Sequence, residues 1–467
     1  MKKIFLRAFF AVILAVLTIT FAGCGGGSGH GLEEESDFSL SSLDVIPPNT
    51  EKENITNTPV MSGEFKIIRE NSAESSFVSY EESKDVLSTE IYERNKLMSE
   101  KYGVDITEVV TSDITSHVLA SVLSEESDHD MIALSASSAS SLITSGALCD
   151  LESISGFRSD GAGYSQSVIN SLSLGGRCYL AAGDATPSLI RSASVLIVDT
   201  ELLLMAGVGT DIIDIAARGG FTLSELLKAA STYSGVNGAL GENGISLPSY
   251  SINADPSDSL ALFMSAGGSF FSRDDVTDVM TAASFSEKNS DIYSMIMSIY
   301  GINETNTEED TDNVFSPVFT TASIGEIEEL KSKGRPVALL PMPKMSVGDE
   351  YISYVDVEKV TFTALPANSN KESSLAVMNL IYSLSADMSA VVRANFSESD
   401  SEKKIYDIVY NGMRCDPLVL FRFGDIQNLM SSCIEERLSL KAFDLRASER
   451  SLAAVAALAI VESKLGR

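Results

Sequence analysis

Apolar and polar residues alternate along Glu64-Phe65-Lys66-Ile67-Ile68-Arg69, which predicts a short strand opening the folded part of the chain. Behind it, Val86, Leu87, Ile91, Tyr92 and Met98 fall close to helical spacing with charge between them. Gly103 then stops the helix ahead of a strand at Val104-Asp105-Ile106. Ile114 to Leu123 predicts a second helix, and Asp130 to Leu134 a short apolar strand. The serine run Ser135 to Ser141, SASSASS, follows directly and reads as a loop at the strand's carboxyl end, where open α/β sheets bind ligands.

The pattern repeats further on. Ser194 to Asp199 is a nearly unbroken apolar strand, and Thr222 with Glu225 forms a capping box that opens an amphipathic helix. Leu260 to Met264 leads into Ser265-Ala266-Gly267-Gly268-Ser269-Phe270-Phe271, and Ile324 to Lys333 predicts another helix. In the stretch Arg335 to Pro366, a strand at Val337 to Leu340 must end at Pro341 and Pro343, which lack the N–H a sheet ladder needs. A polar excursion with two tyrosines follows, then a β-branched strand, Val360 to Leu365, closed by Pro366. A strand, a guided crossing and a second strand predict a backbone passing from one lobe to another. Helices are predicted over Ser373–Leu384, Ser385–Glu402 and Lys403–Met413, with an amphipathic tail from Ile434 to Leu465.

The start of the chain has a different character. Lys2, Lys3 and Arg7 precede an apolar run, Ala8 to Phe21, too short and wrongly flanked to span a membrane. It ends in Phe21-Ala22-Gly23-Cys24, small residues before a cysteine, as in a lipobox whose cysteine becomes the lipidated N-terminus. The alternative is an ordinary secretory signal with an incidental cysteine. Gly25 to about Ser62 is rich in Gly, Ser, Glu, Asn and Pro and reads as a flexible tether.

Charge and cysteine narrow the function class. The chain has 34 basic and 65 acidic residues, a net charge of −31, and the leader holds three of the basic residues and no acidic one. Such a field argues against nucleic acid and against adhesion to anionic lipid surfaces. Cys149, Cys178, Cys415 and Cys433 have no C-x-x-C spacing, and His30, His117 and His129 do not cluster with them in sequence, so no zinc site is expected. Cys149–Cys178 and Cys415–Cys433 are the sequence-local pairings; buried free thiols are the other option. Ser401-Glu402-Lys403-Lys404 matches S-x-x-K, but in a charged stretch read as exposed and without its S-D-N and K-T-G partners. There is no P-loop, dinucleotide fingerprint or H-E-x-x-H, so neither an enzyme nor a cofactor is expected. The acidic stretch Asn303 to Asn313 lacks the glycine and distal glutamate of an EF-hand and reads as a solvated loop.

Several of these segments together resemble the family 1 extracellular solute-binding proteins, the lipid-anchored receptors of bacterial ABC sugar importers. They are the Pro341-Met342-Pro343-Lys344 turn, the IYERN and KYGVDI segments at Ile91 and Lys101, the Gly175 to Asp184 segment, and the Gly220-Phe221-Thr222 helix start. The resemblance implies a two-lobed α/β fold of the class II periplasmic-binding-protein-like type, with an interlobe hinge and cleft. It implies a signal peptide at 1–23 and a tether at 24–62. The N-terminal lobe would take 63–181 and 356–398, and the C-terminal lobe 182–355 and 399–467. It further implies a monomer held at the extracellular face of the cell membrane by lipid on Cys24. That receptor would capture a small solute, a carbohydrate, and deliver it to an ABC permease.

The site residues expected on this basis are Ser137, Ser138, Asp184, Tyr250, Phe270 and Phe271. Ser137 and Ser138 either donate to sugar hydroxyls or cap the next helix. Asp184 either accepts two hydroxyls or caps a turn. Tyr250, Phe270 and Phe271 are either stacking faces or core. No Trp occurs anywhere in the chain, so stacking would fall to Tyr and Phe. The alternative function is a non-transport surface or sensor lipoprotein with the same fold and a degenerate or non-sugar cleft.

Overall fold

A computed structural model describes residues 63–466 except 75, 81–84, 206–210, 236–251, 254, 275, 284–285, 305–317, 387 and 397–398. The leader, Cys24, the tether, Tyr250 and most of the acidic stretch therefore lie outside the described residues.

The first half alternates strand and helix: β1 (Gly63–Glu70), α1 (Val86–Leu97), β2 (Val104–Thr111), α2 (Ile114–Ser124), β3 (Met131–Leu134) and α3 (Ala136–Thr144). The α1 helix runs on through a π turn, Met98–Tyr102, and stops at Gly103, whose φ of 67° is the left-handed value glycine adopts without a Cβ penalty. Arg94 and Asn95 of the IYERN segment both donate to the Phe77 carbonyl, at 3.0 and 2.8 Å. Arg94 also reaches Ser385 Oγ at 3.1 Å. Burial pushes the Arg94 guanidinium down to about 10, against the pull of the Glu108 carboxylate.

The serine run is the clearest departure from the sequence reading. It is not a loop: Ala136–Thr144 is helical. Glu70, at the end of β1, accepts from Ser135 N at 2.8 Å and from Ser138 Oγ at 2.9 Å. A carboxylate thereby sits at the helix start, where negative charge complements the helix dipole. Further along, Ser141, Thr144 and Ser145 each bond back to the carbonyl four residues earlier.

The second half contains β4 (Ser194–Asp199), α4 (Leu223–Gly235), β5 (Ile252–Asn253), α5 (Ser259–Ser265), β6 (Phe319–Ser323), α6 (Ile324–Ser332) and β7 (Val337–Pro341). The chain then returns through β8 (Phe362–Ala364), α7 (Lys371–Leu384), α8 (Met388–Phe396), α9 (Asp400–Gly412), α10 (Pro417–Leu420) and α11 (Leu440–Lys464). Two four-stranded sheets result. One has the order β8-β3-β1-β2, with β1 parallel to β2 and β3 and the returning β8 antiparallel to β3. The other has the order β5-β6-β4-β7, with β4 antiparallel to both neighbours. Pro341 closes β7, an edge strand, where its missing N–H costs no ladder bond.

The return is real at the level of pairing. Ala181, on the outgoing segment, exchanges backbone hydrogen bonds with Thr363 of β8 at 2.8 Å each way. The two segments that leave and re-enter the first sheet thus lie side by side. Lys371–Ala394 is long and apolar enough to cross a membrane by length and composition, yet Leu375, Val377, Met378, Leu380 and Ile381 in α7 are all buried within the core beside the first sheet. All four described cysteines are free and buried, so neither sequence-local disulfide forms.

Candidate functional site

The strands of the second sheet deliver small polar residues to one end. Ser194 opens β4, Thr321 and Ser323 close β6, and Glu326 starts α6. A tight turn, Pro256–Asp258, adds Ser257 and Asp258. The return segment adds Tyr354, Asp356 and Lys359, and these groups enclose a polar hollow of about 360 Å³. That volume falls within the range of small-molecule sites.

Each polar group is locally restrained. Thr321 Oγ1 donates to Asp258 Oδ2, which also accepts from Asp255 N at 3.0 Å. Burial outweighs these bonds and holds the Asp258 carboxyl above its ordinary range. Glu326 accepts from both the amide and the hydroxyl of Ser323, at 2.7 and 2.8 Å, while Ser323 caps α6 in return. Lys359 lies 3.8 Å from Asp356, and Arg422 grips the neighbouring Glu358 through two bonds of 3.0 and 2.8 Å. Among the described residues Tyr354 is the one aromatic lining the hollow; burial raises its hydroxyl well above the usual phenol value. The arrangement offers hydroxyls and carboxylates to a hydroxyl-bearing guest.

Of the residues singled out from sequence, the five that are described, Ser137, Ser138, Asp184, Phe270 and Phe271, do not line the hollow. Asp184 is buried and accepts from Tyr410 Oη at 2.7 Å, beside a space of about 10 Å³, room for roughly one water. It ties the outgoing segment to α9 rather than facing the hollow. Ser138 is committed to Glu70, and Ser137, though exposed on the first turn of α3, does not line the hollow. Phe270 is 2% exposed, with its ring stacked 4.9 Å from Phe263, so it offers no free face to a sugar. Phe271 sits in the hairpin Phe271–Arg273 with Met280–Ala282, under the Arg273 guanidinium at 6.0 Å. The Phe270 ring is thus taken up by the core, while Phe271 stays partly exposed outside the hollow. The hollow's own residues come from five separated segments. The Ser323/Glu326 capping box at a strand end was the one signal of them readable in the sequence.

Ser401-Glu402-Lys403-Lys404 also differs from its reading as an exposed stretch. Glu402 is buried, accepts from Lys331 Nζ at 2.7 Å and from Leu339 N at 3.2 Å, and joins α6, α9 and β7.

No family model matches the chain, and no curated protein matches it in sequence. Solved structures do. The cyclic α-maltosyl-1,6-maltose binding protein of Arthrobacter globiformis superposes with a TM-score of 0.56 at 13% identity, over 85% of this chain and 99% of that one. The sugar-binding protein MalE of Xanthomonas citri gives 0.55 at 11% identity, over 86% and 100%. This chain has the two-lobed fold of extracellular solute-binding proteins. A family 1 extracellular solute-binding protein from Alicyclobacillus acidocaldarius shares it as well, with a TM-score of 0.51 at 11% identity over 86% and 99%. The two-lobed α/β expectation is therefore met, with the polar hollow beside the segment that returns from the second sheet to the first. These neighbours are binding proteins by their names, not enzymes.

Proposed function

We propose that this protein is an extracellular receptor that holds a carbohydrate in the polar hollow and passes it to an ABC permease. The observation that carries the reading is the hollow itself: Asp258, Thr321, Ser323, Glu326 and Asp356 present oxygens around a space of sugar size, beside a return segment. Sugar hydroxyls donate to and accept from such groups, and each well-formed bond contributes about 0.5–1.5 kcal/mol net. Closure of the lobes would be driven by the guest's greater affinity for the closed form. The names of the structural neighbours support a sugar over other solutes. We place the N-terminal lobe at 63–181 and 356–398 and the C-terminal lobe at 182–355 and 399–467, with lipid on Cys24 holding a monomer to the membrane. Intact-mass analysis of the processed protein tests the anchor; an unmodified N-terminus away from Cys24 overturns it.

A second reading has its own support. Receptors of this kind that stack pyranose faces need aromatic rings, and among the described residues Tyr354 alone lines the hollow. A surface or sensor lipoprotein with a non-sugar cleft fits that paucity. Thermal-shift screening of a glycan panel alongside amino acids and polyamines separates the two. Stabilisation by glycans alone supports the receptor for sugars, and stabilisation by amines alone supports the other reading.

A further inference from the structure

On the first sheet's side of the molecule, away from the hollow, two of the three histidines come together. His117 lies in the first turn of α2, and the loop from α2 into β3 brings back Asp128 and His129. His117 Nε2 is 3.2 Å from Asp128 Oδ2, and His129 Nδ1 is 2.6 Å from Asp128 Oδ1. The imidazole centroids are 5.5 Å apart, and one donor atom from each residue lies within 4.8 Å of the others. The cluster is anchored on one side and open on the other: the side-chain exposures are 3% for His129, 38% for His117 and 65% for Asp128. His129 Nε2 is buried with no hydrogen-bond partner.

We propose that His117 Nε2, His129 Nδ1 and an Asp128 carboxylate oxygen bind one divalent first-row transition ion, with zinc the best fit. Two imidazoles and one carboxylate suit zinc, nickel or copper, whereas calcium and magnesium take oxygen ligands alone. Donors 2.0–2.2 Å from a tetrahedral ion stand about 3.3 Å apart. The His117–Asp128 spacing already matches, and the His129–Asp128 contact has to open by less than about 1 Å, a movement available to an exposed carboxylate. Three protein donors leave a fourth position for water on the exposed side. On ligation the neutral His129 ring frees Nδ1 by carrying its single proton on Nε2 instead, a tautomer exchange through solvent that releases no net proton. That N–H has no acceptor, and such outer partners are worth about 10- to 100-fold in affinity. The site is accordingly weaker by that factor than one fully supported. An overall charge of −31 raises the local concentration of cations. The bound ion would pin the loop before β3 to α2, independently of whatever fills the hollow, since none of the three residues lines it.

The test uses chelator-stripped full-length protein titrated with zinc by calorimetry and with cobalt by visible absorption, with calcium as control. One zinc per chain is expected, with cobalt giving the d–d absorption of a four-coordinate shell and calcium failing to compete. His117→Ala and Asp128→Asn, both at partly or fully exposed positions, are each expected to weaken zinc binding at least tenfold (about 1.4 kcal/mol) while leaving the circular dichroism unchanged. In the wild type, imidazole nitrogen NMR gives a reading free of mutation: His117 and His129 shift on adding zinc and His30 does not. Absence of saturable zinc binding, zinc affinity unmoved by both substitutions, displacement by calcium, or ring shifts confined to His30 would each overturn the site.

Discussion

Lys331→Met removes one half of a buried ion pair, and its cost can be worked from the contacts. Lys331 Nζ lies 2.7 Å from Glu402 Oε1, with the two side chains 8% and 6% exposed. Glu402 Oε1 also accepts from Leu339 N at 3.2 Å, so the carboxylate joins α6, α9 and the edge strand β7. Methionine fills the volume of the lysine stem but leaves a carboxylate out of water, and removing one partner of a buried pair typically costs about 3–5 kcal/mol. That is a large fraction of a total stability of about 5–15 kcal/mol. Glu402→Gln keeps an acceptor for Leu339 N but takes the carboxylate away from the Lys331 ammonium, at a similar cost. The double substitution leaves no buried charge, and replacement of a whole buried pair by neutral groups is often close to neutral. Each single substitution is therefore expected to cost about 3–5 kcal/mol more than the double, so that the two are strongly non-additive. Because the chain has no Trp, urea unfolding is followed by circular dichroism. A Lys331→Met cost below about 1 kcal/mol, with the two substitutions simply additive, would refute the reasoning and place the pair with exposed, screened ones.

Three further outcomes are expected. Gly183→Ala puts a Cβ 2.1 Å from the Gly163 carbonyl oxygen and 2.9 Å from Ser165 N, so the outgoing segment must shift; a loss of about 1–3 kcal/mol is expected, and unchanged melting would contradict that close approach. Burial pushes the Asp416 carboxyl from 3.8 up to about 6, against the pull of the Leu418 and Val419 N–H groups. The native state then holds the proton more tightly than the unfolded chain, so this group's contribution to stability falls as pH rises from about 4 to about 6, by about 3 kcal/mol in all. Asp416→Asn removes that slope, and stability curves that stay parallel between variant and wild type across the window would contradict it. Arg94→Met frees the Phe77 carbonyl and Ser385 hydroxyl of their shared donor while removing a buried cation. A net loss of about 1–3 kcal/mol by urea unfolding is expected, and no loss would mean that the cation's burial cost cancels its bonds.

The parts of this fold that could be read in the sequence are those fixed by local chemistry. Ser194–Asp199 is a strand because five successive buried residues leave no solvent face, the Gly103 stop follows from its lack of a Cβ, and the Ser323 and Thr222 helix starts follow from their own hydroxyls. The serine run misled because its cap comes from Glu70, 65 residues earlier, which no local pattern announces. Glu402 looked exposed for the same reason, its partner being Lys331 on another helix. The site fared worst. Asp184 and Phe270 have the chemistry of ligand contacts, but Tyr410 and Phe263 claim them once the chain folds. Asp258, Thr321 and Asp356 have no distinctive spacing, and the long-range packing of the second sheet against the return segment is what assembles them.

The most direct test of the receptor reading is a crystal structure with the best-stabilising glycan of the panel bound. The sugar is expected in the hollow, its hydroxyls within hydrogen-bond range of Asp258, Thr321 and Asp356 and a face toward Tyr354. A sugar seated elsewhere with the hollow filled only by water would contradict it.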